Sequence, residues 1–246
     1  MIKFFRKIRQ NLLSEGKTGK YLKYALGEII LVVIGILIAV SINNWNEARK
    51  DKNTEQKVLK TLRSDFKSNI TQLQDNIDET EIMVSDISQL FKLFRMTQSE
   101  LSLIPIDSIK TDIKGYATFN PSDGALTSLL LSGELNIINN DSLKNKLTNW
   151  PNLVNDAKED ENILVENITK DLWKEQLGYR SYIKNPKFKL NRLVMFDDLI
   201  LQNTFYDIFR GADYQIYLYK ELQKEIEEIL NLIDEEIRLR NKITKG

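Results

Sequence analysis

The sequence predicts an all-α membrane protein: an N-terminal basic amphipathic helix, one transmembrane helix, a long stem helix and an extramembrane antiparallel helical bundle. Three observations predict it. Residues 25–42 (ALGEIILVVIGILIAVSI) carry one charge, Glu28, and eighteen residues at the helical rise span about 27 Å, close to the hydrocarbon core of a bilayer. Beyond that run, apolar residues recur every three or four positions instead of alternating. Ten Gly and four Pro in 246 residues leave few places where helices are interrupted.

Composition narrows the chemistry. Lys and Arg number 35 and Asp and Glu 35, a balance with no electrostatic footprint for nucleic acid. The chain has no Cys and no His. Thiol nucleophiles, disulfides, Ser-His-Asp arrangements and the usual zinc ligands are thereby excluded. The expectation is no enzyme, no metal and no cofactor. The length accommodates the span plus one domain of about 200 residues.

The N-terminal tail, residues 1–24, begins MIKFFRKIRQNLL. Ile2, Phe5, Ile8 and Leu12 recur at helical spacing, and Lys3, Arg6, Lys7 and Arg9 fill the rest. Such a helix suits an anionic headgroup layer; the alternative is a disordered basic tail. Ser14–Lys20 reads as a turn. Residues 25–45 form the transmembrane helix. Gly35 and Ala39 make a small-xxx-small pair that lets a second helix approach closely. Glu28 sits about one turn inside the boundary, where Lys20 and Lys23 let it reach an interfacial partner.

Seven Lys and Arg precede the span against one acid, and five follow it in residues 43–60 against three acids. Short tails obey the positive-inside rule, whereas long domains are translocated largely regardless of charge. This places the N-terminus in the cytoplasm and residues 46–246 on the far side. The competing reading is a cleaved signal peptide, because Ala39-Val40-Ser41 resembles a small-x-small cleavage site. The 24-residue preceding region and the unbroken helical potential through Asn43, Asn44 and Trp45 favour an uncleaved anchor.

From Asn46 to about Thr97 the pattern is one helix, with no breaker between it and the span. Leu59, Leu62, Phe66, Ile70, Leu73, Ile77, Thr80, Val84, Ile87, Phe91 and Phe94 advance 35 residues in ten steps, a mean of 3.5 and thus the coiled-coil period. Pro105 ends this region, and Ile106, Ile109 and Ile113 suggest a short helix. Asn120–Gly124 reads as a turn with Ser122 or Asp123 as N-cap of a helix Ala125–Leu131, which ends at Ser132-Gly133. Asn139–Asp141 caps a second long helix reaching Leu177, where Pro151 is expected to start a new helix or kink this one. Gly178–Asn191 reads as a polar connection and Leu193–Phe209 as a helix. After Gly211 a last helix reaches about Arg240, with Tyr219, Leu222, Ile226, Ile229, Ile233 and Ile237 on one face, widened by Leu218, Leu230 and Leu239. Arg238, Arg240, Lys242 and Lys245 then give a basic end, expected to face anionic headgroups.

The N-terminal run MIKFFRKIRQNLLSEGKTGKYLKYALGEIILVVIGILIAVSINNWNE resembles the start of an uncharacterised Bacteroidota family of small single-span membrane proteins. The match continues in Ser122-Asp123-Gly124-Ala125-Leu126, in Leu131-Ser132-Gly133-Glu134-Leu135, and in Asn140-Asp141-Ser142-Leu143 with Trp150. The resemblance implies an inner-membrane location in a Gram-negative cell with a periplasmic domain. It is a domain of unknown function and carries no catalytic residues over.

No Gly-rich phosphate loop, HExxH or GxSxG occurs. Asp156, Glu159, Asp160 and Glu161 read as a solvated helix face. Ser122–Leu135 reads either as two caps around a short buried helix or as a loop that meets a partner or small ligand. Its candidate residues are Ser122, Asp123, Gly124, Gly133 and Trp150; the membrane-packing candidates are Glu28, Gly35 and Ala39. The function expected is structural or interaction work as a scaffold or adaptor, with the lipid bilayer and a second copy or another membrane protein as partners. The alternative is a periplasmic ligand-sensing domain that signals through a separate membrane partner.

Overall fold

The computed structural model describes residues 18–105, 116–179 and 192–243. The expected amphipathic helix Met1–Leu13, the helix suggested by Ile106, Ile109 and Ile113, and most of the polar connection Gly178–Asn191 lie outside the described residues. So do the side chains of Lys242 and Lys245. Among the described residues the structure is helical throughout, without strands. The chain divides into two units, Met1–Glu55 and Gln56–Gly246.

Helix α1 is Thr18–Leu93. It starts inside the stretch expected to be a turn, since Thr18, Gly19 and Lys20 are already helical. It also stops twelve residues before Pro105, so the proline does not end it. In the first unit, one window of α1 has a mean hydropathy of 2.8 with none of it buried, long and apolar enough to cross a membrane. At the end of this run Arg49 lies over the Trp45 ring, 6.0 Å from its centroid.

The second unit is built on the rest of α1 and two further long helices. Short helix α2, Gln98–Leu101, is closed by a capping box between Thr97 and Glu100. Helix α3, Gly124–Ser132, ends at Gly133, whose φ of 71° is the left-handed conformation a glycine adopts without strain. A 3-10 turn, Glu134–Ile137, follows. Helix α4, Asp141–Glu166, begins at Asn140, whose side chain accepts from the Leu143 N–H at 3.0 Å. Pro151 lies inside α4 and starts no new helix. Six residues, Asn167–Leu172, continue as a π-helical turn before the short α5, Trp173–Gln176. Leu164, Ile168 and Leu172 are all buried and four apart. An ordinary helix would rotate such positions by about 40° per step, and the wider turn keeps them in line.

Helix α6, Leu199–Ile243, is a single helix where two were expected on either side of Gly211. Arg192–Asp197 forms a 3-10 turn ahead of it. Gly211 continues the helix because it lies against α4: a Cβ there would meet Leu164 Cδ1 at 3.3 Å. The glycine serves close approach of two helices and not a break. Leu239, expected on the apolar face, is 47 % exposed.

Contact pairs set the directions. Along α1 and α6, Arg63 pairs with Asp234, Gln74 with Gln223 and Glu81 with Lys220. Phe91 then meets Phe209 with centroids 5.5 Å apart. Rising numbers on one helix match falling numbers on the other, so the two run antiparallel. Helix α6 runs antiparallel to α4 as well, through Asn140–Glu236, Lys146–Glu225 and Gln215–Ala157.

The core falls into two apolar clusters. One gathers Leu59, Leu62, Phe66, Leu73 and Ile77 of α1 with Leu126, Leu147, Trp150 and the Ile226–Ile233 stretch of α6. The other gathers Met83, Ile87 and Leu90 with Leu164, Ile168, Leu201, Phe205 and Ile208. The 3.5-residue row is therefore the buried face of α1, with Ile70, Val84 and Phe91 partly covered at its margins.

Candidate functional site

Between the two clusters each long helix contributes a buried polar residue: Thr80 from α1, Glu161 from α4 and Gln215 from α6, with 2 %, 4 % and 1 % exposure. Groups of this kind are stable inside a protein only when hydrogen-bonded. Thr80 Oγ1 donates to its own helix at the Asn76 carbonyl, 2.7 Å away. Gln215 Nε2 donates to the Ala157 carbonyl at 3.3 Å. Glu161 carries the most: one carboxylate oxygen, Oε2, accepts from the Tyr219 hydroxyl at 2.6 Å and from the Phe119 N–H at 2.8 Å. A single side chain of α4 thus holds both α6 and the loop that precedes α3.

Glu161 belongs to the charge run read as a solvated face. Asp156 and Glu159 are indeed exposed and Asp160 partly so, but Glu161 is in the core. Its acceptor raises the Tyr219 pKa far above the ordinary phenol range. Burial is the first cause and the carboxylate hydrogen bond the second, with Gln215 and Asn76 pulling weakly the other way. Tyr219 is fully buried, so the pair meets no substrate; it acts as a structural tie.

The same loop is held at two further points. Asn69 of α1 makes a two-way amide bridge to Ser122: its Nδ2 donates to the Ser122 carbonyl at 3.1 Å, and its Oδ1 accepts the Ser122 N–H at 2.7 Å. Gln72 Oε1 accepts the Asn120 N–H at 3.1 Å. The N–H groups of Phe119, Asn120 and Ser122, in a stretch with no secondary structure of its own, are satisfied by side chains from α1 and α4.

The sequence-predicted residues are placed as follows. Asp123 is the N-cap residue of α3, but its side chain makes no capping bond. Ser122, Asp123, Gly124 and Gly133 are exposed. Trp150 is 1 % exposed and packs edge-on against Phe66 at 5.3 Å and Phe119 at 6.5 Å. It is a core residue supporting the loop, without a face of its own to offer. In the first unit Gly35 and Ala39 lie on open helix surface and Glu28 is partly covered. Between the loop and α4 lies a cleft of about 320 Å³ whose walls include Asn120, Asp123, Thr127, Asn155 and Lys158. Among the described residues no group of three Asp or Glu is placed to hold a metal ion.

A second polar tie starts α6. Asp198 Oδ1 accepts from the Ile200 and Leu201 N–H groups at 2.9 and 3.1 Å, and its Oδ2 accepts the Tyr179 hydroxyl at 2.5 Å. The Tyr179 bond first, then those N–H groups, hold the Asp198 carboxyl below the usual range. The same contact pushes Tyr179 up to about 12. A depressed carboxylate stabilises the fold above its unfolded value, near 4, and loses that contribution as pH falls through the folded value. Asp198→Asn still caps but does not titrate there. Its melting temperature should lie below wild type at neutral pH, and the gap should close below about pH 4; a pH-independent gap contradicts the assignment.

No curated protein and no solved structure matches the chain. A family model described as a family of unknown function, DUF6090, matches residues 28–154. The match takes in most of the apolar run, Asn69, Gln72, the pinned loop, α3 and Trp150, and stops before Glu161 and Tyr219. Residues 28–154 are 127 of 246, more than half of the sequence, and the chain belongs to this family of unknown function.

Proposed function

We propose that the chain is a single-pass inner-membrane protein whose residues 25–45 cross the bilayer. The N-terminus is cytoplasmic, and residues 46–246 form a periplasmic helical bundle with a coiled-coil-like stem. Its role is structural, as a scaffold or adaptor that docks another protein. One observation carries the anchoring. Eleven large apolar side chains between Ile29 and Ile42 each leave 47–70 % of their surface uncovered. At about 1.5 kcal/mol or more apiece, leaving them in water costs roughly as much as a whole domain's stability. A bilayer removes that cost.

Support for docking comes from α6. Tyr206 and Tyr217 are eleven residues apart, three turns and so on one face, and they are 51 % and 56 % exposed. Tyr214 stacks on Tyr217 with centroids 6.0 Å apart. Exposed aromatic residues are the ones interfaces favour. A photo-crosslinker at position 217 should trap a discrete complex in intact cells, whereas one at Lys67, exposed on α1, should not. A monomer at both positions counts against docking. The second reading, ligand sensing through a separate membrane partner, draws on the cleft beside the pinned loop.

A further inference from the structure

That cleft has a composition that selects its occupant. Its walls are the pinned loop and the start of α3 on one side and one face of α4 on the other. The volume, about 320 Å³, is at the small end of ligand pockets, roughly 300–1,000 Å³. The bottom is closed by core residues: Leu126, Trp150 and Val154 are each at most 6 % exposed. Pro151 adds its ring to the α4 wall, where it also removes the N–H that would bond the Leu147 carbonyl. Around this floor stand one carboxylate, Asp123, and one ammonium, Lys158.

Among the described residues neither charge is engaged: Asp123 and Lys158 make no side-chain hydrogen bond and no ion pair there. The Thr127 hydroxyl and the Asn155 amide, on the same rim, are likewise unused. This contrasts with the other polar residues around the loop: Asn69, Gln72 and Glu161 are all spent on holding its backbone. The loop is fixed from behind by those three, so the rim is presented on a backbone that is already ordered, which lowers the entropic cost of binding.

We propose that this cleft binds a small zwitterion, a free α-amino acid with an apolar side chain. Its carboxylate pairs with Lys158, its ammonium group with Asp123, and its side chain lies along the partly exposed Pro151 ring. A net-neutral rim with separated charges disfavours simple anions and cations, each of which meets one repulsive group. The proposal names a ligand for the sensing reading, and binding here stands whether or not any signalling partner exists.

The test is calorimetric titration of the full chain in detergent micelles with L-leucine and L-phenylalanine, each against two single-charge analogues. Leucinamide lacks the carboxylate and 4-methylpentanoate lacks the ammonium group. At least one amino acid should bind saturably at about 1 mM or below, and its analogues about tenfold or more weaker. Lys158→Met and Asp123→Asn should each weaken binding by a similar factor while leaving the ligand-free melting temperature in place, because neither side chain holds the fold. No saturable binding by either amino acid overturns the proposal. So does equal binding of leucinamide, or binding that survives in the double variant. A failed crosslink at position 217 leaves this result untouched, so the two readings fail separately.

Discussion

Trp150→Ala should lower the melting temperature of the full chain by about 10 °C. Trp150 is the largest fully buried side chain, and it touches α1 through Phe66 and the loop through Phe119. Truncating a buried aromatic costs about 3–5 kcal/mol, the sum of lost transfer free energy and an unfilled cavity. For a domain of this size each kcal/mol shifts the midpoint by about 2–4 °C. Trp150→Phe keeps an aromatic edge against Phe66 and should cost distinctly less. Fluorescence gives an independent readout. Of the three tryptophans, Trp45 and Trp173 are 66 % and 44 % exposed, so the blue-shifted emission belongs to Trp150 and should vanish in both variants. Loss of that emission without a fall in stability would mean that the Trp150 site is not packed as described.

Glu161→Leu should have the second-largest effect, and its partner dependence is the sharper test. The substitution leaves the Phe119 N–H and the Tyr219 hydroxyl buried without an acceptor, at about 1–3 kcal/mol each. Glu161→Gln retains an oxygen in the same place and should cost about 1 kcal/mol, the loss of charge assistance. Tyr219→Phe in the wild-type chain removes a hydrogen bond to a charged group, worth about 1.5–3 kcal/mol. In the Leu variant the same change removes an orphaned donor and should be neutral or stabilising. Denaturant melts of the four proteins form a double-mutant cycle. Additive effects would show that the carboxylate and the phenol do not interact.

Alkaline titration extends this argument. Tyr179 and Tyr219 have raised pKa values because their hydroxyls donate to carboxylates. A group whose folded pKa is raised contributes stability that is complete below its unfolded value, near 10, and is lost as pH rises through the folded one. Followed by phenolate absorbance, these two should ionise above the ordinary phenol range. Tyr219→Phe should remove one late-titrating group; ionisation of Tyr179 and Tyr219 within the ordinary phenol range would contradict both contacts.

Much of the helical framework was legible because its causes are local. The α1 row from Leu59 to Phe94, the Gly133 terminus and the Asn140 cap are each set by residues within a turn or two. One misreading and one half-excluded reading have the same cause: Gly211 and Pro151 were judged by backbone preference alone, and of the two expectations for Pro151 only the new helix is ruled out. Pro151 is tolerated within α4, and Gly211 is placed by Leu164 on a neighbouring helix. The polar ties were missed because they join positions 42 to 58 apart. A trace of them is nonetheless present. The α4 face steps through Leu143, Leu147, Trp150, Val154 and Ala157, then jumps to Leu164, and the vacant step is Glu161. On α1 no step is vacant, because Ile70 and Ile77 fill the row between Phe66, Leu73 and Thr80, and the buried Asn69 and Asn76 sit beside them. A polar residue at a vacant core step of an apolar row marks a long-range bond, and that rule identifies Glu161 from spacing alone, whereas Asn69 leaves no gap in its row.

In the proposed topology residues 25–45 anchor the chain in a membrane with the helical domain on the far side. Reporter fusions after Lys20 and after Gly246, combined with N-terminal sequencing of the mature protein from the membrane fraction, test it most directly. An intact N-terminal tail, a cytoplasmic reporter signal after Lys20 and a periplasmic one after Gly246 are the expected results. A mature chain beginning at Ile42, or reporters on the same side of the membrane, contradicts it.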